Sequence, residues 1–193
     1  NISNYFSGIL LLNDNQYNDS YSYLKKLDGL EEVHLNYSSV YLYSLVNSGN
    51  FNRAFEFSKK LEKNNKDSFE SNLIMGIYYL KNSKNDLANK YFLRSNSEKS
   101  ISLLESFILN SLSIWSDVNS KSLTESITAL NQIDDRFRNF KRIQKVFLNC
   151  YFDTDNTENL FDELVSDQRT DFSRYNYFYA NYLYSTNKED KAV

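Results

Sequence analysis

Apolar residues in this chain recur three and four positions apart, in runs a few helical turns long, and short polar stretches interrupt them at regular intervals. The clearest instance runs from Tyr37 to Leu61. Tyr37, Tyr41, Leu42 and Leu45 share one face of a helix, Ser48-Gly49-Asn50 breaks the run, and Phe51, Ala54, Phe55 and Leu61 begin a second stripe. Two amphipathic helices around one polar turn make a helical hairpin, and the rest of the chain reads as copies of it.

Similar positions return at a fixed interval. Gly8 and Gly76 stand two such intervals apart with Leu42 midway, and Ser20, Ala54, Ala88 and Ser122 form a second series with the same step of 34. This register divides the chain into repeats at 1–34, 35–68, 69–102, 103–136, 137–172 and a short 173–193. The first repeat predicts helices over Ile2–Leu12 and Tyr17–Leu27 around Asn13-Asp14-Asn15. In the third, Asp67 and Glu70 are read as a capping pair, with helices through Leu73–Leu80 and Leu87–Phe92 around a turn at 82–85. In the fourth, Ser122 and Glu125 form a capping box. Beyond Ile133 the spacing slips, since the step from Ser122 to Leu160 exceeds the period by four. The surplus is assigned to a longer connection or an extended helix at 134–139. The fifth repeat pairs Phe140–Phe152 with Asn159–Val165, and the sixth opens at Ser173 with Tyr179, Ala180 and Leu183, leaving Ala192 at its small-residue position.

With these residues in view, the chain resembles the tetratricopeptide repeat, whose pattern places Trp, Leu, Gly and Tyr on one helix and Ala, Phe and a final Pro on the next. Gly8 and Gly76 match the glycine, Tyr79 the tyrosine, Ala54 and Ala88 the alanine, Phe92 the phenylalanine, and Ala129 a later small position. No repeat carries the Trp or the Pro. The chain is also similar to alphaproteobacterial proteins built of little but such repeats. The resemblance implies a right-handed α-solenoid of about five and a half hairpins, an interaction scaffold, and a place in a bacterial cell envelope or periplasm, with the cytoplasm as the alternative. It implies that a concave groove is lined by positions of the first helices: Tyr43 and Asn47, Ile77 and Lys81, Phe107, Ser111 and Trp115, then Lys145 and Asn149. Trp115, the sole tryptophan, is the expected anchor of a partner.

Composition narrows the classes. There is no proline and there are four glycines, which leaves little punctuation for sandwiches, barrels or phosphate-cradling glycine loops. A net charge of −3 offers no footprint for nucleic acid. No apolar run approaches the length of a membrane span. One cysteine and one histidine, Cys150 and His34, are too few for a thiolate or imidazole metal cluster, so no cofactor or metal is expected. The chain opens on Asn1 without a basic-then-apolar leader and closes on what reads as the first turn of a helix, Asp190–Val193, so it reads as part of a longer array.

Three stretches imitate chemistry. Val146–Thr157, VFLNCYFDTDNT, has the apolar-run-then-D-x-D-x-T pattern of haloacid-dehalogenase-type phosphotransfer enzymes, with Asp153 as nucleophile and Asp155 as acid/base. That reading requires a buried strand before Asp153 and further motifs that the chain lacks, so a helix end and turn are preferred. As a calcium loop the same stretch has Glu158 where a glycine is needed and Leu164 where a bidentate glutamate is needed. Lys145 and Asn149, with Arg174, imitate the carboxylate clamp of co-chaperone tetratricopeptide domains, but Phe178 stands where an asparagine belongs.

The sequence therefore predicts an all-α, single-domain array over 1–193 without catalytic residues. It would hold a peptide or partner protein in a groove and take no small-molecule substrate. A structural spacer in an envelope assembly, and the phosphotransfer enzyme around Asp153 and Asp155, are the alternatives.

Overall fold

A computed structural model of the chain describes residues 2–34, 36–96 and 101–191, and Ala192 lies outside them. Among the described residues there are α-helices and short 3-10 turns and no strand. The helices are α1 (Ile2–Asn13), α2 (Tyr17–Leu24), α3 (Tyr37–Asn47), α4 (Phe51–Lys63), α5 (Phe69–Lys81), α6 (Asn85–Asn96), α7 (Leu103–Asp117), α8 (Leu123–Asn131), α9 (Arg138–Tyr151), α10 (Thr157–Val165) and α11 (Asn176–Ser185). Helices adjacent in sequence pack in pairs, as expected for an all-α chain of hairpins. The chain divides into two compact parts, 1–116 and 117–193.

The period resides in the turns. Asn15, Gly49 and Ser83 each adopt a positive φ and are spaced by one full period; Asp153 and Asn187 repeat the feature with the same step. In each case the next residue's N–H donates to a carbonyl five positions back: Gln16 to Leu11, Asn50 to Leu45, Lys84 to Tyr79, Thr154 to Asn149 and Lys188 to Leu183, at 2.8–3.1 Å. This left-handed step satisfies carbonyls that the helix end leaves free and reverses the chain. Asn, Asp, Ser and Gly hold these positions because a short polar side chain, or none, tolerates that conformation.

In the first part, the glycines set the approach of paired helices. A methyl on Gly76 would lie 2.2 Å from Cε1 of Phe92, and one on Gly8 would lie 2.6 Å from Leu24. Two small residues at the repeat positions of Gly76 and Ala88 lead one to expect that these two face each other, but the residue facing Gly76 is Phe92, sixteen positions on, and Ala88 is fully buried in the same cluster as Phe92. Ser20 keeps its expected place, its hydroxyl donating to the Gly8 carbonyl at 2.7 Å. Aromatic rings join successive hairpins, Tyr21 stacking on Tyr41 and Phe55 on Tyr78 at 3.6 Å between centroids, while Tyr41 meets Phe57 edge-on within its own hairpin. No hairpin alone could bury these faces.

Two details of the register change. Ser122 is outside α8 and caps it, accepting from the Glu125 N–H, which bears out the capping box. The buried small residue four positions into the helix is Ser126, the counterpart of Ser20, Ala54 and Ala88. From Ser126 to Leu160 the step is again one period. The four extra residues therefore fall before Ser126, where α7 is two residues longer than α5 and its following turn two longer than that at 82–84. They do not fall at 134–139, where Asp134 caps a 3-10 turn leading straight into α9. The cap of α5 also moves by one: Ser68 and Ser71 exchange the reciprocal bonds. Asp67 instead accepts from Asn72 and pairs with Arg94 at 3.0 Å.

In the second part, α9 and α10 close on Ile143, Val146, Leu160, Phe161 and Leu164. Tyr179 of α11 stacks on Phe161 at 5.2 Å. Its hydroxyl donates to Asp162 at 2.7 Å.

Candidate functional site

The two helices of the second hairpin differ in chemistry. α3 carries no charged side chain, whereas α4 interleaves Arg53, Glu56, Lys59, Lys60, Glu62 and Lys63 with its apolar stripe. A helix with one apolar face buries it and wets the other. α3 buries Tyr37, Leu42 and Leu45 and still presents Tyr43 and Val46 to solvent at 54% and 41% exposure.

Beside those two residues lies a groove of about 380 Å³ between α3 and α5. Tyr43, Val46 and Asn47 form one wall, Leu73 and Ile77 the other, and Glu70 is its only acidic or basic lining residue. Asn47 also belongs to a second, polar hollow of about 290 Å³, formed with the turn and first helical residues Asn15–Asp19 and with Ser48. The two hollows meet at Asn47, and the Tyr17 and Tyr43 rings stand edge to face at 6.5 Å. The Asn47 amide donates to the Tyr43 carbonyl at 2.8 Å, which fixes its side chain along α3 and leaves its oxygen available.

The sequence-selected groove residues separate accordingly. Tyr43, Asn47 and Ile77 line this hollow together, and Lys81, exposed, stands one turn beyond Ile77 on α5. Phe107, Ser111 and Trp115 are half-buried on α7 and do not line it. The Ser111 hydroxyl is buried with no hydrogen-bond partner among the described residues. In the second part, Lys145 is exposed, but Asn149 is buried and committed. Its amide donates to the Lys145 carbonyl at 2.8 Å, and its oxygen accepts from Thr154 at 2.9 Å. Asn149 thus holds the turn and cannot serve as the amide of a clamp.

Seven lining residues escaped the sequence reading of the site: Ser39, Leu42, Val46, Phe51, Glu70, Leu73 and Ile74. The signal available for Val46 was an apolar residue on the wet side of a helix without charges.

The stretch before Asp153 is helical, so the strand required by the D-x-D-x-T reading is absent there. Asp153 has φ 50° and occupies the left-handed position of the turn. Asn156 stands at the N-cap of α10 without a side-chain bond to its backbone N–H groups; its oxygen accepts from the Asn159 amide at 3.4 Å instead. Burial, with the Asp153 charge nearby, raises the pKa of the Cys150 thiol, opposite to the shift that activates a nucleophilic cysteine. The His34 ring lies 4.7 Å from that of Tyr5. Among the described residues, no group of three His, Cys, Asp or Glu side chains could hold a metal ion. No described helix is long and apolar enough to cross a membrane. No protein-family model and no curated protein matches the sequence.

Proposed function

We propose that this chain is a tetratricopeptide-like interaction scaffold, a right-handed solenoid without catalytic residues, that holds a peptide segment of a partner protein between its first helices. The observation that carries the reading is the apolar groove between α3 and α5, rimmed by the exposed Tyr43 and Val46 on a helix without charges. Solvent-facing aromatic and aliphatic side chains beside a concavity are the features of a binding hot spot, and the groove has room for one or two large side chains. The direct test is selection from a displayed random-peptide library, followed by titration calorimetry on the purified chain and on Val46→Gln. Val46 is half in solvent, and glutamine suits a helix, so the variant should melt like the parent. Enriched peptides should bind the parent at least tenfold more tightly than the variant. Equal binding to both would remove the groove from the function.

A further inference from the structure

The charged side chains that line the two joined hollows are of one sign, and the exposed Lys81 stands outside the lining, one turn beyond Ile77. The apolar groove has Glu70 at its lining, the polar hollow has Asp19, and neither hollow is lined by lysine or arginine. Neither carboxylate has an ion-pair partner among the described residues. Glu70 accepts one hydrogen bond from the Ser68 hydroxyl at 2.6 Å, which leaves its second oxygen open. Asp19 is exposed in the first turn of α2. Several other carboxylates of the first part are matched by bases from a neighbouring hairpin, Glu32 by Lys66, Asp28 by Lys60, Glu62 and Asp67 by Arg94, whereas Asp14, Asp86 and Glu105 form no ion pair among the described residues. Among the acids without an ion pair, Glu70 and Asp19 are the two that line the joined hollows, beside the exposed Tyr43 and Val46.

We infer that the occupant is a basic peptide segment, with an apolar side chain between Tyr43, Val46 and Ile77 and lysine or arginine directed at Glu70 and Asp19. This rests on the groove being the binding site and adds the sign of the partner's charge. Complementary charge at the rim of an apolar anchor mainly sets orientation and encounter rate, each exposed pair adding a modest share of affinity. The amide-rich hollow around Asn47 then meets the peptide backbone and polar residues beyond the anchor.

The test uses the same displayed library, read for composition, and then synthetic versions of the best binder in which its basic residues become serine or glutamate. The expected order of affinity is basic, then serine, then glutamate. Glu70→Gln and Asp19→Asn should each weaken the basic peptide by roughly two- to fivefold. Added salt should narrow the gap between the three peptides, because exposed pairs are screened. Enriched peptides with apolar anchors but no excess of lysine and arginine, still lost on Val46→Gln, would overturn the charge inference while leaving the groove intact. Basic peptides that bind Val46→Gln as well as the parent would overturn both, since the attraction would then be a property of the acidic surface at large.

Discussion

Replacing Gly76 by alanine tests the packing of the first part most sharply, because two effects of known sign oppose each other. In an unencumbered helix the substitution stabilises by about 1 kcal/mol, since glycine is the more flexible residue in the unfolded chain. Here the new methyl would meet three Phe92 ring carbons at 2.2, 2.6 and 2.8 Å. Ordinary contact begins at 3.4 Å, so the ring must retreat by more than an ångström at its nearest atom. Phe92 is fully buried and clusters with Ala88 and Leu109, so the retreat displaces neighbours in turn. Overpacking of this kind costs about 1–3 kcal/mol. A net loss of up to about 2 kcal/mol is expected, read as a lower urea midpoint at unchanged slope in circular dichroism at the helical minimum. Phe92→Leu alone should also destabilise, by opening a cavity. The double variant should lose less than the two losses added, with a coupling of about 1 kcal/mol or more, because the smaller side chain vacates the space that the methyl needs. Stabilisation by Gly76→Ala, or strict additivity in the double variant, would refute the contact.

Three further outcomes follow from the same structure. Lys60→Met should cost about 2 kcal/mol in urea denaturation, because the Glu31 carboxylate, wholly buried and 2.5 Å from the Lys60 ammonium, would keep only the Gly29 N–H; Glu31→Gln in that background should restore part of the loss. Gly49, with φ +74° and open space around it, should accept asparagine almost neutrally, as Asn15 and Asn187 show at equivalent turns, whereas valine should cost about 1–2 kcal/mol in the same assay. Burial pushes the Tyr41 phenol up to about 12 and raises Tyr37, Tyr91 and Tyr179 as well. The folded state therefore keeps protons that the unfolded chain sheds near pH 10. The stabilisation is complete below that pH and is lost as pH rises through about 12; absorbance of tyrosinate should lag in the folded chain and jump on alkaline unfolding.

The hairpins were legible because their signals are local. Helical periodicity placed the Tyr37–Leu61 hairpin, and Ser48-Gly49-Asn50 is where the chain reverses. The capping box at Ser122 and Glu125 follows from side-chain reach alone. What misled was treating Ser122 as both a cap and a packing residue. A cap is outside the helix and the packing position lies four residues inside it, so the two roles belong to Ser122 and Ser126. That single shift displaced the slip in the period from the stretch around α7 to 134–139. Asn149 misled for a related reason: an asparagine on a first helix looks the same in sequence whether it faces a ligand or accepts from the Thr154 hydroxyl at the helix end. The half of the site formed by Tyr43, Asn47 and Ile77 could be read because repeat position maps to helix face. Glu70 and Leu73 could not, because they depend on how closely α5 approaches α3.

That approach has a reading in side-chain size. Gly8 opposes Leu24 and Gly76 opposes Phe92, a small residue on the first helix against a large one sixteen positions on. In the middle hairpin the positions with the same spacing are Leu42 and Ser58, both fully buried, with the sizes exchanged. A large residue on a first helix fills the space that a glycine leaves for its partner's side chain. Leu42 is also a lining residue of the groove, and the next first helix, α5, has Gly76 in the corresponding position. The groove thus falls between a first helix spaced by leucine and one drawn onto Phe92 through glycine. Tyr43 and Val46 lie uncovered beside it, and an apolar surface uncovered by the chain's own helices is where a partner's side chain would gain most from leaving water.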